Sequence, residues 1–250
     1  MRLDELVRYL DGYLRVSEVP DDAEAMNGLQ VENAGEVTHI AVAVDACEAV
    51  IQAAALQGAD LLLVHHGLFW GPRVPLTGRA YRKLNGLLRG GLAVYSAHLP
   101  LDVHPDVGNN AVLARLLGMD VTGWWGEYKG LPIGAVGELA VPREEIGRRL
   151  EQQLGVMPKL IAGGPSRTGR IGVITGAGGS MIRQAHAAGI DTFVTGEGAH
   201  YTYFDAEELG VNVFFAGHYA TETVGVRALA EHLAGAFGLP WDFIDHPTGL

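Results

Sequence analysis

Thiol chemistry is nearly absent from this 250-residue sequence, whose only cysteine is Cys47. A disulfide within the chain is excluded, and so is a metal site built from several thiolates of one chain. The fold therefore needs no oxidising compartment, and the expected location is the cytoplasm. Positive charge is scarce as well: 18 Lys and Arg stand against 29 Asp and Glu, a formal net charge of -11. That balance argues against bulk attraction to nucleic acid, leaving only a local basic groove or bound metal ions to draw phosphates. Long apolar runs are missing too, since no stretch approaches the roughly 20 apolar residues of a spanning helix. Residues 1–7 set Asp4 and Glu5 among apolar neighbours instead of a leader-like apolar core. Neither secretion nor membrane insertion is expected.

Apolar side chains are plentiful, at 48%, which is enough for a substantial core in one large domain or two lobes. Leu3, Leu6, Val7 and Leu10 recur at helical spacing and predict an amphipathic helix to about Leu14. Pro20 then marks a looped passage. Ile40–Val44 reads as a buried strand, Cys47–Gln57 as a helix and Asp60–Val64 as the next strand, a βαβ unit with parallel strands.

A second copy of this pattern emerges when residues 39–66 are set against 170–197 without gaps. Ile40 meets Ile171, Val42 meets Val173, Gly58 meets Gly189 and Asp60 meets Asp191. Val64 meets Thr195, and His65-His66 falls opposite Gly196-Glu197. After a shift in register, residues 90–98 resemble residues 210–218, and each run ends in a histidine with an acid four residues on: His98 with Asp102, His218 with Glu222. Helical patterns follow at Asn110–Leu117 and Val224–Phe237. The expectation is α/β architecture with two similar α/β lobes from an internal duplication and a metal site in the crevice between them. The first lobe takes residues 1–122 and 215–250, the second 123–214. Within the connector, a strand is predicted at Ala135–Val141 and a Pro-initiated helix at Pro142–Gln153.

Imidazoles and carboxylates gather where these strands end, the usual ligand edge of an open α/β sheet. His65 and His66 close the Leu-Leu-Leu-Val run, and Gly67 lets the backbone turn so that both rings converge. His218 and Glu222 share one face if their segment opens a helix, and can then approach one ion; the alternative for the acid is helix capping. Asp102, beyond Pro100, is expected in a loop, and a carboxylate there or at Glu222 can bridge two divalent ions. His98 has two readings, a third ligand or a hydrogen-bonding partner that orients Asp102. Glu197 and His200 either act on substrate and relay protons or form an ordinary salt bridge. The Gly176–Ser180 stretch offers backbone amides to a phosphate or is a tight turn capped by Ser180, and the turn is favoured. Asn27-Gly28-Leu29-Gln30 reads as a turn, while Trp124-Trp125 and Phe214-Phe215 read as packing.

Taken in order, Asn27-Gly28-Leu29-Gln30, Val64-His65-His66-Gly67, His98-x-Pro100-x-Asp102, Gly108-Asn109-Asn110, Thr195-Gly196-Glu197 and His218-x-x-x-Glu222 resemble the NIF3-like family, also called GTP cyclohydrolase 1 type 2 homologs. The resemblance covers essentially the whole chain. It implies a dinuclear divalent-metal centre on His65, His66, Asp102, His218 and Glu222, and a ring-shaped homohexamer of paired trimers. Longer relatives carry an inserted domain that this chain replaces with a short connector.

Two functions follow as expectations. The first is a metal-dependent hydrolase that acts on a nucleotide or related small molecule through a metal-activated water, with Glu197, His98 or His200 moving protons. The second is a non-catalytic metal-binding ring scaffold for nucleic acid or protein partners. Imidazole with carboxylate suits zinc, iron, manganese or nickel.

Overall fold

Leu3, Leu6 and Leu10 are buried along one side of the opening helix, α1 (Leu3–Tyr13), which fulfils the helical spacing read from the sequence. In the computed structural model, which describes residues 1–71 and 74–249, there follow β1 (Gly28–Val31), β2 (Ile40–Asp45), α2 (Glu48–Leu56), β3 (Leu61–His66), α3 (Gly78–Gly90) and β4 (Ala93–Ser96). Next come α4 (Leu99–Asp102), α5 (Asn109–Leu116), β5 (Asp120–Tyr128), β6 (Leu131–Glu138), α6 (Arg143–Leu154) and β7 (Lys159–Ala162). The chain closes with β8 (Arg170–Ile174), α7 (Ile182–Ala187), β9 (Thr192–Thr195), α8 (Thr202–Leu209), β10 (Asn212–Phe215), α9 (His218–Phe237) and β11 (Trp241–Phe243). None of the helices among the described residues is long and apolar enough to cross a membrane.

Two units result, one from residues 1–101 with 226–246, the other built chiefly from residues 102–225. The sequence reading set its boundaries at 122/123 and 214/215 instead. Packing explains where the structure divides: Leu113, Ala114, Leu117 and Met119, in and just after α5, share a core cluster with Ile171, Val173 and Phe214 of the second sheet.

The first unit's sheet runs β1-β4-β3-β2-β11, with β1 antiparallel to β4 and the other pairs parallel. Its central strands β2 and β3 are apolar until their carboxyl ends, where Asp45 and the His65-His66 pair stand, as expected of strands covered on both faces. The second sheet runs β5-β6-β8-β9-β10-β7 and is parallel only through β8, β9 and β10. Alternate residues feed two core clusters there: Ile171, Val173 and Phe214 enter one, Phe193 and Val213 the other.

The repeat is visible in detail. Three parallel strands in sequence order, β2-β3-β4 and β8-β9-β10, each end on an antiparallel partner, β1 in one unit and β7 in the other. Asp60 Oδ2 accepts the backbone N–H of Thr38 at 2.7 Å and of His39 at 3.2 Å. Asp191 Oδ2, its counterpart in the alignment, accepts those of Gly169 and Arg170, both at 2.9 Å. The same carboxylate thus secures the same strand entry twice.

Several local expectations change. The third strand extends through His65 and His66 instead of stopping before them, because His66 continues the ladder opposite Asp45. Asp102 ends the short helix α4, not a loop. The last long helix starts at His218 itself, six residues before the apolar pattern suggested. Residues 120–128, of which the sequence reading placed those from Trp124 on in the connector, form the long strand β5, and Trp125 is buried with Nε1 donating to Ala135 O at 3.0 Å. Gly178–Met181 is a 3-10 turn leading into α7, without a side-chain cap from Ser180.

Candidate metal centre

In the first unit the carboxyl ends of β3 and β4 bring His65, His66 and His98 together. Their ring centroids lie 4.7 Å (His65–His66), 5.0 Å (His65–His98) and 5.7 Å (His66–His98) apart. Each ring is held at Nδ1. His65 Nδ1 meets Ala97 O at 2.9 Å, His66 Nδ1 meets Asp45 Oδ1 at 2.9 Å and His98 Nδ1 meets Asp21 Oδ1 at 2.8 Å. A carbonyl or an ionised carboxylate only accepts, so each Nδ1 carries the proton and Nε2 is the ring nitrogen left to offer a lone pair. This is the tautomer a metal needs, fixed in the way metal-binding histidines are usually fixed. One ligand atom from each residue lies within 4.8 Å of the others. The donor set fits a divalent ion.

Asp21 and Asp45 were not singled out in the sequence. Asp45 had a detectable signal, since it closes β2 directly beside His66 in the parallel register. Asp21 lies far from His98 in sequence, and only the folded chain pairs them. Its second oxygen accepts the Leu99 N–H at 2.9 Å and the Asn27 side-chain amide at 2.7 Å, while Asn27 Oδ1 accepts the His98 N–H at 2.7 Å. Burial by itself would raise the Asp21 pKa, but the bonds from His98, Asn27 and the Asp22 backbone hold it below the ordinary carboxylate value. The Asn27–Gln30 motif is thus more than a turn: Asn27 braces His98, and Gln30 Oε1 accepts the Leu68 N–H at 2.7 Å beyond the histidine pair.

In the second unit Asp102 is buried. Its Oδ1 accepts the Asn109 side-chain amide at 2.8 Å, and Asn109 Oδ1 in turn accepts the Gly225 N–H at 2.7 Å. Asn110 Oδ1 accepts the Thr175 N–H at 2.7 Å, which anchors the end of β8. The first turn of α9 places His218 Nε2 3.1 Å from Glu222 Oε1, and His218 Nδ1 lies 2.8 Å from Glu197 Oε1. Burial would lower the His218 pKa, yet Glu222 and Glu197 together push it up to about 9. The two carboxylates thus favour positive charge at this imidazole.

Space is reserved at this pair. Gly176, with φ +64°, lies so close that a Cβ there would come within 2.2 Å of Glu222 Oε1 and 3.3 Å of His218 Nε2. Here the Gly176–Ser180 motif serves its neighbours by lacking a side chain. Glu197 meets His218 as a hydrogen-bond partner, while His200 is exposed and its ring packs edge-on against Phe204 at 5.8 Å.

A family profile described as Duf34/NIF3 (NGG1p interacting factor 3) matches residues 1–248. A Deinococcus radiodurans protein named GTP cyclohydrolase 1 type 2 homolog is 45% identical over 251 residues, covering 99% of this chain and 94% of the relative. A Pyrococcus abyssi protein of the same name is 44% identical, with both chains fully covered. Among solved structures, protein ybgI, described as of unknown function, superposes with a TM-score of 0.93 at 38% identity. A Thermus thermophilus protein does so with a TM-score of 0.89 at 45% identity, and both comparisons cover 100% of each chain.

Proposed function

This chain belongs to the Duf34/NIF3 family, and on that premise we propose a metal-dependent hydrolase acting on a nucleotide or related small molecule. In this reading His65, His66, Asp102, His218 and Glu222 hold two divalent ions. The observation that carries it is the pair His65 and His66, each with Nδ1 tied to an acceptor and with ligand atoms within 4.8 Å of each other. When bound, a pair of such ions supplies Lewis acidity, making water more acidic and stabilising developing negative charge.

The chain's own residues prepare for this. Asp45 and the Ala97 carbonyl hold the two β3 imidazoles in one tautomer, and Glu197 holds His218 from its Nδ1 side. Asn109 orients the Asp102 carboxylate, and Gly176, lacking a Cβ, leaves room for the buried Glu222 carboxylate. His98, fixed through Asp21, exchanges a proton at Nε2 with the substrate. Glu197 acts as a positioning residue, and His200 stands outside the machinery.

The relatives' name directs the first assay to GTP, with formate release reporting ring opening and phosphate release reporting phosphoester cleavage. Protein purified without chelators is expected to carry up to two divalent ions per chain and to turn over the nucleotide, with both properties reduced by His66→Ala and Glu222→Ala. Fewer than one ion per chain, unchanged in these variants, defeats the metal centre. Full metal content without turnover of any nucleotide replaces the hydrolase with a metal-organised scaffold.

A further inference from the structure

The loop after β3 carries an indole to which the proposed chemistry gives no task. Trp70 is 45% exposed, whereas Trp125 is buried in the second unit's core. The start of its loop is nevertheless held in place. Gln30 ties down Leu68 N–H at 2.7 Å and donates from Nε2 to Met26 O at 2.9 Å. Gly67 packs so tightly on the Gln30 carboxamide that a Cβ there would come within 2.2 Å of Nε2.

The Trp70 ring centroid lies 4.7 Å from that of His98 and 5.5 Å from that of His66, at interplanar angles of 78° and 61°. Neither imidazole therefore lies parallel to the indole. Both are themselves fixed, His98 by Asp21 and His66 by Asp45. Three rings thus form one preorganised wall, and the outermost shows nearly half its surface to solvent.

Indole offers a broad π face, which rewards a flat aromatic ring stacked at van der Waals distance and gives little to an acyclic or saturated group. We propose that Trp70 is the stacking platform for a planar heteroaromatic ring of the substrate, seating that ring beside His98 and His66. The inference rests on the hydrolase reading above and narrows its substrate class to molecules that carry such a ring. Holding the ring here lowers the entropic cost of presenting its reacting atom to the histidine cluster. Fixing the start of the loop, at Gly67 and Leu68, through Gln30 lowers the binding energy consumed in ordering it.

The test is calorimetric titration of the full, metal-loaded chain with guanosine 5′-monophosphate and with ribose 5-phosphate as the control that lacks the ring. Sedimentation and metal analysis of each variant accompany it. Trp70→Ala is expected to weaken nucleotide binding by on the order of tenfold or more. Trp70→Phe should retain most of the affinity, and ribose 5-phosphate affinity, metal content and assembly mass should not change. The proposal is overturned if the wild-type chain binds the nucleotide no better than ribose 5-phosphate, or if Trp70→Ala binds it as the wild type does. It is also overturned if Trp70→Ala changes the assembly mass, which assigns the indole to contact between copies. Nucleotide binding that depends on Trp70 without any turnover defeats the hydrolase reading alone; turnover of GTP with an unchanged kcat/KM in Trp70→Ala defeats the platform alone.

Discussion

Asp21 grips His98 through one carboxylate oxygen, 2.8 Å from Nδ1, while its other oxygen accepts the N–H of Leu99, the residue that follows, at 2.9 Å. Ring and backbone are thereby fixed by one side chain. Asp21→Asn leaves a single acceptor oxygen and turns an NH2 group toward donors, so it is expected to cost about 1–3 kcal/mol. Urea denaturation of the chelator-treated protein reads this directly. The Asp21 pKa is lowered in the fold, so its contribution is present above the ordinary value of 3.8 and is lost as pH falls through the folded value. The gap between wild type and variant should therefore close in acid.

Asp45 makes the corresponding contact with His66, and Asp45→Asn tests it without touching a proposed ligand. Metal affinity, measured by competition with a chromophoric chelator, is expected to fall roughly 10- to 100-fold. The melting temperature of the metal-free protein should change little, because the Asp45 side chain is more than one-third exposed.

Gly176→Ala is predicted to disturb the Glu222 carboxylate through the added methyl group. Its control is Gly189→Ala, since Gly189 has a similar φ of +71° and open space where a Cβ would go. Both variants take the left-handed strain of roughly 1–2 kcal/mol. Only Gly176→Ala should also lose bound metal, as read by elemental analysis after gel filtration.

His218 sets the pH behaviour of the metal-free protein. Its pKa rises from 6.5 to about 9 in the fold, so the stability it contributes is fully present below pH 6.5 and is lost as pH climbs through about 9. The chelator-treated wild type should show a melting temperature that falls across this window, and His218→Gln should flatten that dependence. Metal uptake should run the other way, strengthening with pH as the competing proton leaves.

The sequence made the parallel core strands and their histidines legible because alternation, apolar runs and the paired copies all pointed to the same edge. β5 escaped because Gly123 and Gly126 interrupt its β-type pattern and only Trp125 among its residues is buried. α9 was read as starting late, since His218–Thr223 shows little apolar spacing and the helical state there is carried by tertiary packing. Asp21 shows the general obstacle: a hydrogen bond across 77 positions leaves no local pattern.

Asp60 and Asp191 still fasten the same strand entry in each half, whereas the strand ends have drifted apart. Asp45 aligns with Gly176, and His65-His66 with Gly196-Glu197. Two identical subunits must change together, since one gene encodes both. Once joined in a single polypeptide, each copy could mutate independently, one keeping an acid that steers an imidazole and the other giving up its side chain to make room. Two copies within one polypeptide can thus carry different chemistry at the same strand end.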